Sequence, residues 1–269
     1  MWRCSFRGLT GDVALEVSEA DSPVARLVAE LFASWGPPVD PEPALRYRLQ
    51  CDARQVIRGG EVVATVATEL DLVPVFELDL YNQMIAHASG HWVLHGAGLV
   101  VDGRAIVLSG PSGAGKSTMT LGLIARGAQY LSDEYVAVGP DGVRGVTRAL
   151  AFDQTPAAPV PPDFALVHYP LQTAAGLVDQ PVHRPPPGAR AVQPAPLGAV
   201  VLLRHAPAES PGLRPISGAQ ALERLWEQTM NRSDAALAVA TATLGACPVR
   251  ELVTRDVDGG CRALEELIR

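Results

Sequence analysis

Residues 110–118 read Gly-Pro-Ser-Gly-Ala-Gly-Lys-Ser-Thr, and Lys116 is the only lysine in the chain; every other basic residue is an arginine. Arginine stands wherever either cation would serve, so the one position that kept lysine needs a compact ammonium. A planar guanidinium fork would not fit among phosphate oxygens. The spacing is Gly-x-x-x-x-Gly-Lys-Ser. In that pattern glycines let backbone N–H groups wrap a phosphate, the lysine reaches the β- and γ-phosphates and the next hydroxyl ligates Mg²⁺. The expected contact set is Gly110, Pro111, Ser112, Gly113, Ala114, Gly115, Lys116, Ser117 and Thr118, with Ser117 also on the metal.

A second group lies a short way downstream. Tyr130-Leu131-Ser132-Asp133 reads as a short strand ending in an acid, and Glu134 follows it directly. Phosphoryl transfer needs a phosphate cradle, a metal and a group that orients or deprotonates the acceptor hydroxyl. Asp133 is the first choice for Mg²⁺. Either acid could be the base, and the two could share or exchange duties. His95 is a third candidate, while His87 and His91 are read as structural.

The elements that must position these residues follow from periodicity. Arg104–Leu108 is a short apolar strand, Ser109–Gly115 the turn and Lys116–Ala125 a helix whose N-terminal dipole favours an anion. Trp92–Val101 is a strand, and Asp102-Gly103 signals a tight hairpin into the next one. A hairpin entering this turn predicts a mixed or antiparallel sheet. Upstream, residues 1–70 read as a small α+β lobe, with Val13, Leu15 and Val17 alternating, a helix over Val24–Trp35, and strands over Leu45–Gln50 and Val62–Leu70. Residues 71–269 read as the domain that carries the chemistry, opening with a helix over Val73–His87. Within it, residues 153–196 are so rich in proline that an irregular segment is expected, a connector or a lid. Strands over Leu197–Leu203 and Pro248–Thr254 and helices over Gly218–Thr229, Asp234–Leu244 and Gly260–Ile268 complete the chain, with Asn231-Arg-Ser-Asp capping the second of these helices.

Composition limits the alternatives. Net charge is −7, against a basic nucleic-acid surface. No apolar run is long enough to span a bilayer, and the first residues lack the apolar core of a secretory signal. The four cysteines are widely spaced and form no zinc pattern, which suits thiols in a reducing cytosol. The expectation is a cytoplasmic protein with no nucleic-acid or membrane partner; a homo-oligomer is left open.

The stretch from His95-Gly96 through the turn to Arg126-Gly127 and Ser132-Asp133-Glu134 resembles the HPr serine kinase/phosphorylase family, and most of all the HPr-kinase-related proteins of bacterial peptide-modification clusters. The resemblance implies a P-loop core of the HPr kinase and phosphoenolpyruvate carboxykinase type, a mixed sheet flanked by helices. It implies ATP and Mg²⁺ as cofactors and a Ser/Thr hydroxyl of a peptide or small protein as acceptor. It also implies that Glu134 stands where the family has its general base and that His95 positions the acidic pair. The family's glycine-rich signature after the acids is missing, so kinase activity without phosphorolysis is expected, and HPr is not expected as acceptor. A kinase for a small metabolite and a nucleotide-binding regulatory subunit are the alternatives. Arg184 and Arg190 are candidates to neutralise the transferred phosphoryl or are loop arginines.

Overall fold

Val13, Leu15 and Val17 are buried while Ala14 and Glu16 between them are half-buried, the period of a strand with one wet face. That alternation organises the first part of a computed structural model that describes residues 1–9, 11–32, 43–151, 158–173, 176–191, 193–206 and 209–268. Along the chain come β1 (Trp2–Arg7), β2 (Asp12–Val17), α1 (Pro23–Phe32), β3 (Leu45–Gln50), β4 (Gln55–Arg58), β5 (Glu61–Thr65) and α2 (Leu72–Ala86). Then follow β6 (Trp92–Val101), β7 (Arg104–Ser109), α3 (Lys116–Ile124), β8 (Gln129–Ser132), β9 (Tyr135–Gly139) and β10 (Gly142–Gly145). After β11 (Leu150–Ala151), β12 (Ala165–Thr173) and β13 (Gly176–Arg184), the chain ends with β14 (Leu197–His205), β15 (Gly212–Pro215), α4 (Gly218–Trp226), α5 (Asp234–Ala246), β16 (Val249–Thr254) and α6 (Val257–Ile268).

These elements form two units. The first comprises Met1–His87, Arg148–Ala151 and Ala165–Pro187. Its five-stranded sheet runs β1-β2-β3-β4-β5, with α1 as the crossover between the parallel pair β2 and β3. Aromatic contacts tie both helices to the sheet. Phe6 stacks on Phe32 at 5.5 Å between centroids, and Phe76 of α2 meets Phe32 at 5.9 Å and Tyr47 at 5.0 Å. Those contacts are why α2 belongs here and why this unit's first segment ends at His87, where the sequence suggests a boundary at residue 70. The tail of the expected helix over Val24–Trp35 and the start of the proline-rich segment lie outside the described residues.

The expectation of an irregular stretch over 153–196 is corrected by β12 and β13. They pair antiparallel from Ala165↔Arg184 to Thr173↔Gly176, and β13 also pairs β11. Proline removes a ladder donor, but an edge strand has one side without a ladder, and β12 is an edge. Val167, Tyr169 and Val182 are buried, which anchors the base of this hairpin.

The second unit comprises Ala88–Thr147, Phe152–Phe164 and Gly188–Arg269. Its sheet runs β10-β9-β6-β7-β14-β16-β15, and β8 also pairs β6. The expected mixed sheet is observed: β7, β14 and β16 are parallel, and β6 runs antiparallel to β7. Ala105, Ile106, Val107 and Leu108 are all fully buried, as a central strand covered on both faces requires. The turn between β6 and β7 has Asp102 at φ 48° and Gly103 at φ 77°, the two left-handed residues that a tight hairpin demands. Ala221, Leu225, Ala240 and Leu244 of α4 and α5 share one core with Leu94, Val107, Val200 and Leu202. Helices α3 and α6 pack so closely that a Cβ on Gly122 would sit 2.5 Å from Val257 Cγ1. Among the described residues, no helix is long and apolar enough to cross a membrane.

Candidate functional site

The turn after β7 is shaped by two different demands on glycine. Gly113 and Gly115 take φ of 76° and 97°, a conformation that L side chains rarely adopt, although a Cβ there would meet nothing. Gly110 is needed for space: a Cβ on it would lie 2.6 Å from the carbonyl oxygen of Leu203 on the neighbouring β14. Gly115 then caps α3 with no side-chain bond, and the first helical bond described runs from Met119 N–H to Gly115 O at 2.9 Å. The N–H groups of Lys116, Ser117 and Thr118 precede it, in the turn where a helix has donors to spare. Pro111, Ser112 and Gly113 are exposed; Ala114 is buried, and Ser117 and Thr118 are half-buried.

Lys116 is only 8% exposed. Its ammonium folds back on the turn and donates to Gly110 O at 2.9 Å and Pro111 O at 3.3 Å. Burial depresses its pKa, and the charges of Glu134 and Asp133 oppose that shift. The two acids of the candidate set thus lie within electrostatic reach of the lysine. His95 is in the same field. Burial first, then the charge of Lys116, lowers its pKa below the ordinary histidine value, while Glu134 and a hydrogen bond with Gln228 act in the opposite direction. Hence His95 of β6, Lys116 of α3, and Asp133 and Glu134 of the turn between β8 and β9, scattered over 40 residues of sequence, are brought together.

The strand pairing explains how. Both β8 and β9 pair with β6, so the Ser132–Tyr135 turn between them is pinned beside His95 and Gly96. Gly96 N–H donates to Glu134 O at 3.0 Å, and the N–H groups of Glu134 and Tyr135 both donate to Ser132 Oγ at 3.3 Å. Asp133 is 9% exposed, and its Oδ1 accepts from the hydroxyl of fully buried Tyr130 at 2.7 Å. On the other side of β6, Ser109 Oγ donates to His95 O at 3.1 Å.

Beyond Gly96 the outer edge of β6 passes from β7 to the end of α4. His95 N–H donates to Gln228 O at 2.8 Å, and Met230 N–H to Val93 O at 2.9 Å. Trp92 Nε1 donates to Thr229 Oγ1 at 2.9 Å, and Val93 N–H to Asn231 Oδ1 at 3.0 Å. Asn231, read as part of a helix cap, fastens this segment instead, and Ser233 caps α5 by accepting from Ala236 N–H at 3.2 Å.

Other candidates fall elsewhere. Arg184 belongs to the first unit and pairs with Glu30 at 3.1 Å. Arg190 runs beside β8, where Ala191 N–H donates to Tyr130 O at 2.9 Å. His87 Nδ1 contacts Gln83 O at 2.7 Å, and His91 lies 3.9 Å from Asp141, both structural roles. Arg126 ends α3 and pairs with Asp258 of α6 at 3.1 Å. Among the described residues, no group of three or more His, Cys, Asp or Glu is arranged to hold a metal. Ser117 and Asp133 could share one only with oxygens from a ligand, the usual habit of Mg²⁺ at phosphates.

Sequence reading missed a charged network on the opposite side of the glycine turn. Glu251 of β16 is buried and accepts from Arg204 Nε at 3.1 Å and from Arg224; Arg204 also pairs with Glu209, which in turn holds Arg214 at 2.7 Å. The signal was available: an acid inside the apolar run Val-Arg-Glu-Leu-Val-Thr cannot be buried without a partner.

No family model matches the chain, and no curated protein sequence does. Among solved structures, the chain is similar to the HPr(Ser) kinase/phosphatase from Coxiella burnetii, at 14% identity, over 66% of this chain and 88% of that chain, with a TM-score of 0.29. So low a score carries no functional weight, and the site stands on its own geometry.

Proposed function

We propose that the second unit is a Mg-ATP-dependent phosphotransferase of the HPr-kinase-like P-loop type, transferring the γ-phosphoryl to a Ser or Thr hydroxyl of a peptide or small protein. The observation that carries this reading is Lys116: a nearly buried ammonium, held by two neutral carbonyls at the mouth of a left-handed glycine turn, with Asp133, Glu134 and His95 in its field.

The residues suit the group. The turn offers backbone donors with no Cβ over Gly113 or Gly115, and the helix behind it adds its dipole. Lys116 would exchange its two carbonyls for phosphate oxygens, a charge-assisted bond in place of two neutral ones. Ser117 and Asp133 are the residues that would hold Mg²⁺, with Tyr130 fixing the Asp133 carboxylate. Bound Mg-ATP supplies the activated phosphoryl and its leaving group. Glu134, half-buried on a turn pinned to β6, takes the proton of the acceptor hydroxyl. With its pKa below the ordinary value, His95 is neutral at pH 7 and orients Glu134 instead of competing for its charge. Phosphorolysis is left out, because the residues after Glu134 form the plain β9–β10 hairpin with no glycine-rich signature.

The test is thermal stabilisation by Mg-ATP followed by transfer to two pools, short serine peptides and cytosolic metabolites. Wild type is stabilised and Lys116→Met is not, since ligand binding raises the melting point only where affinity persists. One phosphate gained on a peptide supports the acceptor class; phosphorylation of a metabolite alone replaces it. Equal stabilisation of both proteins refutes the site.

A further inference from the structure

A pair of side chains ties the acid turn to the histidine strand. His95 of β6 stands directly opposite Tyr135 of β9 in the antiparallel ladder. Tyr135 also follows Glu134 in sequence, so the residue beside the acid is the residue across from the histidine. We propose that Tyr135 is a positioning residue of the transfer reaction, its ring bracing the His95 imidazole beside Glu134. The proposal rests on the phosphotransferase reading above and adds one residue to its machinery.

Hydrogen bonding decides how close the two side chains come. His95 N–H donates to Gln228 O at 2.8 Å, and its carbonyl accepts from Ser109 Oγ at 3.1 Å, both on the edge of β6 away from β9. The next residue points the other way, with Gly96 N–H on Glu134 O at 3.0 Å. His95 and Tyr135 are therefore a non-hydrogen-bonded pair, the kind whose facing side chains approach most closely.

The face they share is the second observation. Leu94 and Val136, the next pair along, lie in the core shared with α4 and α5. Side chains alternate along a strand. His95 and Tyr135 thus point to the opposite face, where the charges of Lys116 and Glu134 reach the imidazole.

Contact is the third. The two ring centroids are 6.1 Å apart with the planes tilted by 50°, inside the roughly 4.5–7 Å of an aromatic pair. The backbone bonds fix the His95 main chain but leave χ1 and χ2 to the side chain's own contacts. A hydrogen bond with Gln228 holds the imidazole at an edge, and Tyr135 closes one side of it. Both residues are half-buried, so each ring shields the other from water. An imidazole held in this way can orient Glu134 without swinging out of the site. The ring does this, and the hydroxyl is not required.

The experiment compares wild type, Tyr135→Phe and Tyr135→Val in transfer from Mg-ATP to the short serine peptides, and in NMR titration of ring-labelled histidine. Valine removes the ring and keeps a good strand former. Tyr135→Val should lower kcat at least about threefold, the scale of one aromatic pair, with KM for Mg-ATP and the Mg-ATP thermal shift unchanged. Its His95 midpoint should rise, because an uncovered imidazole regains water. Tyr135→Phe should match wild type in both readouts. In wild type itself, the Tyr135 ring resonances should follow the His95 titration. A Val variant that keeps more than roughly a third of kcat, an unmoved His95 midpoint, a Phe variant as slow as Val, or tyrosine resonances blind to the titration would each overturn the role. Tyr135→Met repeats the ring removal should Tyr135→Val misfold. Absence of transfer by wild type ends the underlying reading and the role with it; wild-type transfer with a fully active Val variant removes Tyr135 alone.

Discussion

Each unit buries a cation, and the two are held in opposite ways. In the first unit Arg148 meets Glu77 through Nε at 2.6 Å and a second nitrogen at 3.1 Å, lies 5.3 Å from the centre of the Tyr169 ring, and shares Glu77 with the Tyr169 hydroxyl at 2.6 Å. In the second unit Lys116 is held by two backbone carbonyls. A guanidinium locked to a carboxylate is neutralised and fixes a segment in place, here the start of β11 and the β12 strand against α2. An ammonium held by neutral dipoles keeps its charge for an incoming anion. The contrast separates a staple from a site more clearly than burial does, since both side chains are largely out of solvent.

The comparison is broken hardest by removing each cation. Lys116→Met abolishes the response to Mg-ATP yet leaves urea unfolding nearly unchanged. Arg148→Ala strands a buried carboxylate and lowers stability by about 3–5 kcal/mol, read from urea unfolding, while the folded fraction still answers Mg-ATP. The apolar double variant Glu77→Leu/Arg148→Met recovers most of that loss, because a buried pair is worth little over well-packed hydrophobes. If the Arg148 variant alone unfolds no more easily than wild type, the staple reading is wrong.

A kinetic effect sharpens the site side. Glu134→Gln slows single-turnover transfer by roughly 10²–10⁴-fold, the usual worth of a positioned base, with Mg-ATP affinity kept. Asp133→Asn instead weakens nucleotide binding only when metal is present. Unchanged turnover in the first would hand the base role to Asp133 or His95.

His95 offers a readout free of turnover. Its imidazole titrates below the ordinary 6.5, chiefly from burial and then from Lys116. NMR titration of Lys116→Met should find it shifted upward, and no shift would place the two charges farther apart than the fold implies. The sign for stability follows. A depressed histidine protonates more readily when unfolded, so stability falls as pH drops below about 6.5.

The smallest expected effect concerns Glu209, held at about 2 by Arg204 and then Arg214. Its contribution is present above 4.5 and fades as pH falls toward about 2. Its side chain is partly exposed and therefore screened, so Glu209→Gln should only slightly flatten the acid limb of the melting curve.

Legibility in the sequence followed the strength of local rules. The Trp92–Val101 strand, the Asp102-Gly103 turn and the glycine turn are legible at nearly their observed bounds, because an apolar run, left-handed turn residues and glycine spacing are local properties. The strands β4, β9 and β10 are not, being short and patterned only by their partners. The prolines in β12 and β13 hid a hairpin whose edge position only tertiary structure reveals. Of the site, His95, Lys116, Asp133 and Glu134 were named from motif order. Gln228 left no mark in sequence, since it acts through its backbone carbonyl.

The strand order of the second unit also sets a schedule for synthesis. The β6–β7 hairpin and its glycine turn leave the ribosome early, but the outer edge of β7 belongs to β14, whose Leu197 lies 93 residues beyond Arg104. The other half of β6 waits for Thr229, 137 residues after Trp92. At about 5–20 residues per second, the four-residue apolar run of β7 has an unpaired side for roughly 5–20 s. An open apolar edge is a template for pairing with other chains. The nascent protein therefore carries an aggregation hazard at the strand that leads into the glycine turn, and chaperone demand should rise between emergence of β7 and of β14.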